Sequence, residues 1–476
     1  MRRLGVLLLL LTLSEYVLAH NHHNITEIDT SVPFDAIIYT HMSLQTFLWG
    51  ISFPIGMVLG LSNFVHYDQI LGEEGIVRSK YHVPLQSVNV VLNYAGQWMG
   101  HHHGGRQFPA TVHGIMARIL FWTVLVQAGL GIFLKLHVLE KNVRKWVVPV
   151  HSVIGKAFPI LGWTQMLFGV ATALGYCRGG DLGQCLAHYI MGSAFIAYAV
   201  ILVIMLNLGG HWLERIGCSQ EMLDSSTIMV WGIVNTFTEH HGGAWSHKDM
   251  QHTMLGVLWW TGGMLGVFLS RKGKRSFVPA VIIIMTGWGM SAHEQALMIS
   301  SKIHALFGYA LIAAGVLRLV EICFVLNDQA TPHGVIRVFQ HLPPYLLVLG
   351  GTLFMSATDE ELRNVDNLGI DHVSYALFDF SLSFLVYLII TFLVHLYLST
   401  GVNSTSAVPP NAVEEGYSKI PSRSRRRTSR TESEEGAEVY ELTEQDDDED
   451  ATKIGHEDEV DWIGRQGPSR LNGVRI

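Results

Sequence analysis

Charged side chains are scarce in this 476-residue chain: Asp, Glu, Lys and Arg make up 15%, against 49% hydrophobic residues. A soluble globular domain carries about 25% charged residues, so an ordinary cytosolic enzyme is excluded. Basic residues are few, 32 Lys/Arg against 40 Asp/Glu, and no clustered basic face offers itself to nucleic acid. Cysteine occurs at four positions, too few for a disulfide-rich secreted scaffold. The Gly-rich fingerprint of nicotinamide and flavin enzymes is missing, so the chain would not collect electrons from a pyridine nucleotide by itself.

What the sequence does have is long apolar blocks. Met1-Arg2-Arg3, the Leu-rich run Leu4 to Leu13 and the small residue Ala19 read as a signal peptide over residues 1–19; a signal anchor is the alternative. An outer His-rich segment, 20–40, would follow, with a glycosylation sequon at Asn24-Ile25-Thr26. A bilayer is crossed by about 20 apolar residues. Stretches near 41–65, 82–99, 113–136, 147–175, 186–208, 225–240, 252–270, 277–292, 303–326, 342–357 and 372–399 predict an all-α integral membrane protein of about eleven transmembrane helices.

With the first helix running inward, Arg78 and Lys80, then Lys135, Lys141, Arg144 and Lys145, then Arg271, Lys272, Lys274 and Arg275 all fall in cytosolic loops, as the positive-inside rule requires. Cys177 and Cys185, candidates for a disulfide, fall outside. The N-terminus would be lumenal and the C-terminus cytosolic, in a membrane of the secretory or endomembrane system (vacuolar, Golgi, ER or plasma membrane). The tail, 400–476, carries most of the net charge of -8, lacks apolar periodicity and is expected to be disordered.

His41, His82, His113 and His151 stand near the starts of the first four helices. Alternating helix direction puts His41 and His113 at the outer face and His82 and His151 at the inner one. In an up-down four-helix bundle the first and third helices are diagonal, as are the second and fourth. Each layer would then aim two imidazoles at the bundle axis, which suits the axial sites of a haem. Gly50, Gly56, Gly60, Gly114, Gly129, Gly131, Gly155 and Gly162 would let a porphyrin approach. The alternative is that each imidazole merely caps a helix at the hydrated interface.

The segments His41-Met42-Ser43-Leu44, Trp49-Gly50-Ile51-Ser52-Phe53-Pro54-Ile55-Gly56, His82-Val83-Pro84-Leu85, His113-Gly114-Ile115 and Val150-His151-Ser152-Val153-Ile154-Gly155 together resemble the cytochrome b561 and ferric-reductase-like transmembrane domain, over roughly residues 36–176. The resemblance implies a b561-like four-helix module, 41–176, with two haem b groups held by His41 with His113 and by His82 with His151. It further implies that Arg78, Lys80, Arg144 and Lys145 help hold an anionic reductant such as ascorbate; positive-inside topology accounts for them equally. The whole chain resembles the fungal Ytp-type membrane proteins, which join such a unit to a second conserved membrane region of unknown function.

That second region, 186–399, gathers its histidines outside: Glu239-His240-His241, His247, His252, His293-Glu294 and His304. A single layer cannot relay electrons. Imidazoles beside carboxylates suit a divalent metal (Fe, Cu or Zn) held by His240, His241, His252, His293 and His304, with a turn expected at Ser300-Ser301-Lys302. Polar packing within the belt of Trp231, Trp245, Trp259, Trp260 and Trp288 is the alternative. The tracts His101-His102-His103 and His20-Asn21-His22-His23 add further imidazoles on that side.

The leading expectation is transmembrane electron transfer from a cytosolic reductant or redox partner to an outer acceptor such as ferric or cupric ion, a transmembrane oxidoreductase. A metal-ion transporter, a membrane metalloenzyme and a structural or sorting protein are the alternatives. Expected partners are membrane lipid and, as a candidate, a second copy of the chain.

Overall fold

The computed structural model describes residues 28–29 and 31–400, apart from 69–72, 79, 138, 140–141, 239, 241–243, 293–294, 296 and 327–335; for 63–78, 211 and 248 it describes the backbone alone. The signal peptide, His20 to His23, Asn24, His241, His293, Glu294, the Arg78 side chain and the tail beyond 400 lie outside the described residues.

Helix α1 starts where the Asp35 carboxylate accepts the Ile38 N–H at 2.9 Å, an N-cap that satisfies one of the four orphan donors. It runs Ala36–Leu61, with a π-helical turn at Leu48–Ser52. A two-stranded antiparallel hairpin follows, β1 (Asn63–Asp68) and β2 (Glu73–Arg78). Next come α2 (His82–His101), α3 (Val112–Lys135), capped by Thr111, and α4 (Arg144–Leu174), closed by Gly175 at φ 80°. A left-handed residue ends a helix well, and glycine adopts it without strain. α1 packs on α2 and α4, and α3 packs on the same two helices, so α1 faces α3 and α2 faces α4 across the axis. Leu48, Trp49, Phe53, Leu120, Val124 and Phe158 fill the centre.

The rest of the body comprises α5 (Leu182–Ile204), the short α6 (Gly210–Ile216), α7 (Gln220–Thr238), α8 (His247–Leu269), α9 (Val278–Ser291), α10 (Met298–Val320), α11 (Leu342–Met355), α12 (Asp359–Asn367) and α13 (His372–Ser399). Consecutive helices α7 to α11 pack side by side, and α11 also meets α5 and α13. Glycines set the closest crossings. A Cβ on Gly192 would lie 2.6 Å from Gly351 O, and one on Gly287 would lie 2.5 Å from Gly308 O. Small residues at helix crossings let backbones approach this closely within a membrane.

Eight helices among the described residues are long and apolar enough to cross a bilayer, not eleven. All eleven apolar stretches are helical, but three fall short: α9 has 14 residues, while α2 and α7 are diluted by Gln86, Asn89 and Asn93, and by Glu221, Asp224 and Asn235. Most of these polar groups turn inward, with Asn89, Asn93, Glu221, Asp224 and Asn235 buried. Conversely, Ile160 on α4 is 70% exposed and Ile132 on α3 is 62% exposed. Apolar side chains displayed this fully on long apolar helices belong in lipid rather than water. The protein is therefore an α-helical membrane protein; among the described residues the β1–β2 hairpin is the one departure from all-α.

Candidate functional site

The structure brings the four sequence-predicted histidines together in two pairs. The His41 and His113 rings stand 6.3 Å apart, centre to centre, and nearly perpendicular. His82 and His151 repeat this arrangement, again at 6.3 Å. His82 and His113 occupy first turns, whereas His41 is the sixth residue of α1 and His151 the eighth of α4. Both of the latter lie deeper than helix-start positions because capping by Asp35 and the preceding Arg144–Pro149 turn extend the helices outward.

Three of these rings are oriented by the backbone of a neighbouring helix. His41 Nδ1 lies 2.7 Å from Gly96 O, His82 Nδ1 2.7 Å from Gly56 O and His113 Nδ1 3.2 Å from Gln165 O. A carbonyl only accepts, so each Nδ1 carries the proton and each Nε2 keeps its lone pair. Each ring also rests against a glycine. A Cβ would come within 2.7 Å of His41 at Gly100 and of His82 at Gly60, and within 3.2 Å and 3.3 Å of His113 and His151 at Gly169 and Gly131. α1 and α2 thus exchange His for Gly reciprocally, as do α3 and α4. Gly100 and Gly169 were not among the glycines singled out from sequence.

His41 and Gly56, which mark the two levels on α1, are 15 residues apart, about 22 Å along a helix. The space between them is aromatic: Trp49 meets Phe53 at 4.8 Å and Phe158 at 5.4 Å, and those two meet at 5.7 Å. Trp49 is pinned by its indole N–H, 3.1 Å from Asn93 Oδ1 and from Gln45 Oε1. Ser52 donates to Asn89 Oδ1 at 2.7 Å. These contacts explain the buried polar residues of α2, and the π-turn of α1 lies at the same level. Such turns recur at functional positions.

The other predicted positions that fall among the described residues are scattered. Arg144 donates to Leu134 O at 3.1 Å, while Lys145 lies over Trp146 and Lys80 over Tyr81. His240 stacks on Trp245 at 3.9 Å with Nδ1 3.6 Å from Asp249; the His252 carbonyl accepts from Asn235. Among the described residues, His240, His252 and His304 form no group of three converging ligand atoms. The turn expected at Ser300–Lys302 is instead the opening of α10, which places His304 two turns inside the helix. There it meets His188 of α5, Nε2 to Nε2 at 3.4 Å. Sequence reading missed His188; the signal was an ionisable residue inside an apolar helix.

Near this end, Cys177 and Cys185 form a disulfide, with Cα atoms 5.3 Å apart. Glu360 accepts the Cys177 N–H at 2.7 Å, and Tyr375 Oη lies 2.9 Å from Glu361 Oε1. Burial pushes the Glu361 carboxyl up to about 7, reinforced by Asp379 and opposed by the Tyr375 hydroxyl. A folded-state pKa above the unfolded value of 4.5 means the native state binds the proton more tightly. Its stabilisation is complete below about 4.5 and is lost as pH rises through about 7. The unfolding midpoint should fall across that window and Glu361→Gln should flatten the fall; an unchanged slope in thermal melts would remove this assignment.

Comparison with known proteins accounts for most of the chain. Residues 161–398, half of the chain, match the family described as Protein YTP1-like, C-terminal. Residues 21–67 and 75–137 match a domain of unknown function (DUF2427), which includes His41, His82 and His113. Protein YTP1 of Saccharomyces cerevisiae is 46% identical over 240 residues, 50% of this chain and 52% of its own length. An uncharacterized membrane protein of Schizosaccharomyces pombe is 24% identical over 276 residues, 47% of this chain and 54% of its own. A second uncharacterized membrane protein of S. cerevisiae is 26% identical over 269 residues, 45% and 42% of the two chains. The chain spans about half the length of the curated relatives it matches, and no solved structure matches it. On the strength of the match across its C-terminal half, the chain belongs to the YTP1-like family of membrane proteins.

Proposed function

We propose that α1 to α4 hold two b-type haems, one in each histidine layer, and carry electrons from a cytosolic reductant to an acceptor on the lumenal or extracellular side. The observation that carries this reading is the 6.3 Å spacing of both imidazole pairs. Two metal–nitrogen bonds of about 2 Å, each extended by a ring radius of about 1.1 Å, bring opposed imidazole centres to about 6 Å. The donor set therefore fits haem iron, which His41 with His113 and His82 with His151 would hold. When bound, haem iron would supply a one-electron carrier whose potential the two imidazoles and burial would adjust.

The chain's own residues do the rest. Donation from Nδ1 of His41, His82 and His113 to backbone carbonyls fixes the tautomer that presents Nε2, and makes that nitrogen more basic. The flanking glycines leave room for each ring to lie against the neighbouring helix. Trp49, Phe53 and Phe158 exclude water from the interval between levels, and the indole hydrogen bonds hold that packing. Lys80, Arg144 and Lys145 stand near the His82/His151 end, where their charge would draw an anionic reductant such as ascorbate. Ferric or cupric ion is the acceptor class that the outward histidines favour.

Full-length protein purified after expression with ample haem is expected to show a b-type spectrum, two haems per chain, reducible by ascorbate. A colourless preparation would end the proposal. Gly60→Val offers a subtler check. A side chain there would displace the His82 ring, since even a Cβ would lie 2.7 Å from its Nδ1. Haem content should fall to about one per chain, with the other layer spectrally unaltered.

A further inference from the structure

A cavity of about 40 Å³ opens at one end of the C-terminal helices, where α5 and α10 finish and α7, α9 and α11 begin. One water needs about 10–15 Å³ measured in this way, so the cavity has room for about three water-sized bodies. Its walls are largely apolar, but Tyr198, Glu221, Asp224 and Arg318 also line it. Ionisable groups kept inside a membrane protein mark a function more often than not, and the electron path uses none of these four.

The charges around the cavity do not balance. Glu221, Asp224 and Glu321 are all buried, at 1%, 6% and 2% exposure. Arg275 and Arg318 both reach the same oxygen, Glu221 Oε1, at 2.7 Å and 2.9 Å. Arg318 also pairs with Glu321, and neither arginine pairs with Asp224, to which Tyr198 offers its hydroxyl. Three buried carboxylates thus share two guanidinium groups, and one negative charge is left over. The second oxygen of Glu221, Oε2, is buried with no hydrogen-bond partner. Glu221 and Asp224 are three residues apart on α7, which puts both on one helix face. Uncompensated charge buried in this way is strongly destabilising, so a proton or a cation has to meet it.

A proton on Asp224 would cancel the surplus charge, but it would leave Glu221 Oε2 unsatisfied and would need no cavity. A cation in the cavity answers the surplus charge, the orphan oxygen and the open space together. Carboxylate and hydroxyl oxygens suit a hard ion, and a single surplus charge suits a monovalent one. Among the described residues the three carboxylates form no group of converging ligand atoms, as a divalent ion would require. We infer that the cavity binds one small monovalent inorganic cation, of the Na+ class, held by Asp224, Glu221 and the Tyr198 hydroxyl together with water. The site is independent of the haem proposal, because it shares no residue or helix with the four-helix unit.

The full chain in detergent, exchanged into sodium-free buffer and titrated with radioactive Na+ at constant ionic strength, is expected to bind about one ion per chain in a saturable manner. Unlabelled NaCl should displace the label, whereas choline chloride, whose cation is too bulky for the cavity, should not. The thermal midpoint should rise over the same range of Na+, because an ion bound to the folded state stabilises it. Asp224→Asn keeps the shape of the side chain and removes the surplus charge, so it should weaken binding at least tenfold. Wild-type protein with no saturable Na+ binding overturns the inference by itself, whether or not the variant folds, and leaves a proton on Asp224 as the counter-charge. Undiminished binding by Asp224→Asn also overturns it, because the ion then sits elsewhere.

Discussion

Changing His113 to alanine is expected to remove one haem from the purified protein and stop electron flow across reconstituted vesicles; His82→Ala should do the same from the opposite layer. Each substitution deletes one imidazole of a ring pair 6.3 Å apart, the pair proposed to hold one haem. With the layers about 22 Å apart along α1, loss in one should leave the other's spectrum intact. Content should fall from two haems per chain to one in each single variant and to none in the double. Flow should fall to background in all three, because carriers in series fail together. His240→Ala, which alters a ring stacked on Trp245 in the loop between α7 and α8, should change neither quantity. Wild-type haem content in both single variants would defeat the bis-histidine assignment.

Glu221→Ala is expected to cost about 3–5 kcal/mol of stability, the typical effect of stranding buried charge. The Glu221 side chain is 1% exposed and receives Arg275 at 2.7 Å and Arg318 at 2.9 Å. Arg318 also reaches Glu321 at 2.7 Å, and Gln340 donates to the same carboxylate at 3.1 Å. One carboxylate therefore ties α7 to the segment before α9 and to α10, and through Glu321 to the start of α11. Removing it leaves two guanidinium groups with little water to replace the lost partner. The expected readout is a large drop in the thermal midpoint and a broadened gel-filtration peak. Glu221→Gln, which still accepts hydrogen bonds, should fall between. A stability within about 0.5 kcal/mol of wild type, the range of an ordinary surface change, would show that the network contributes little.

Helical apolar stretches were legible because lipid imposes a length and a composition on each crossing, which the sequence must satisfy locally. The four histidines of α1 to α4 were legible for a similar reason: an ionisable group in an apolar stretch stands out, and helix alternation assigns its level. Helix count was less secure. α2 and α7 hide polar side chains inside the protein, so composition alone does not show whether a stretch faces lipid or its neighbours. His304 was marked from sequence; its neighbour His188, from α5, was not, and only the structure sets the two side by side.

By itself, then, the sequence determined a helical membrane body, the positions of its apolar helices, and four histidines at alternating ends of the first four. These follow from local demands, namely hydrocarbon thickness, backbone hydrogen bonding and the cost of burying an imidazole. Tertiary structure alone decided which histidines meet, that each imidazole of α1 to α4 rests on a neighbouring helix's glycine, that an aromatic cluster fills the gap between layers, and that Glu221 gathers two arginines. Those are facts of helix rotation and contact, set by close packing of side chains on different helices, and no single stretch of chain encodes them.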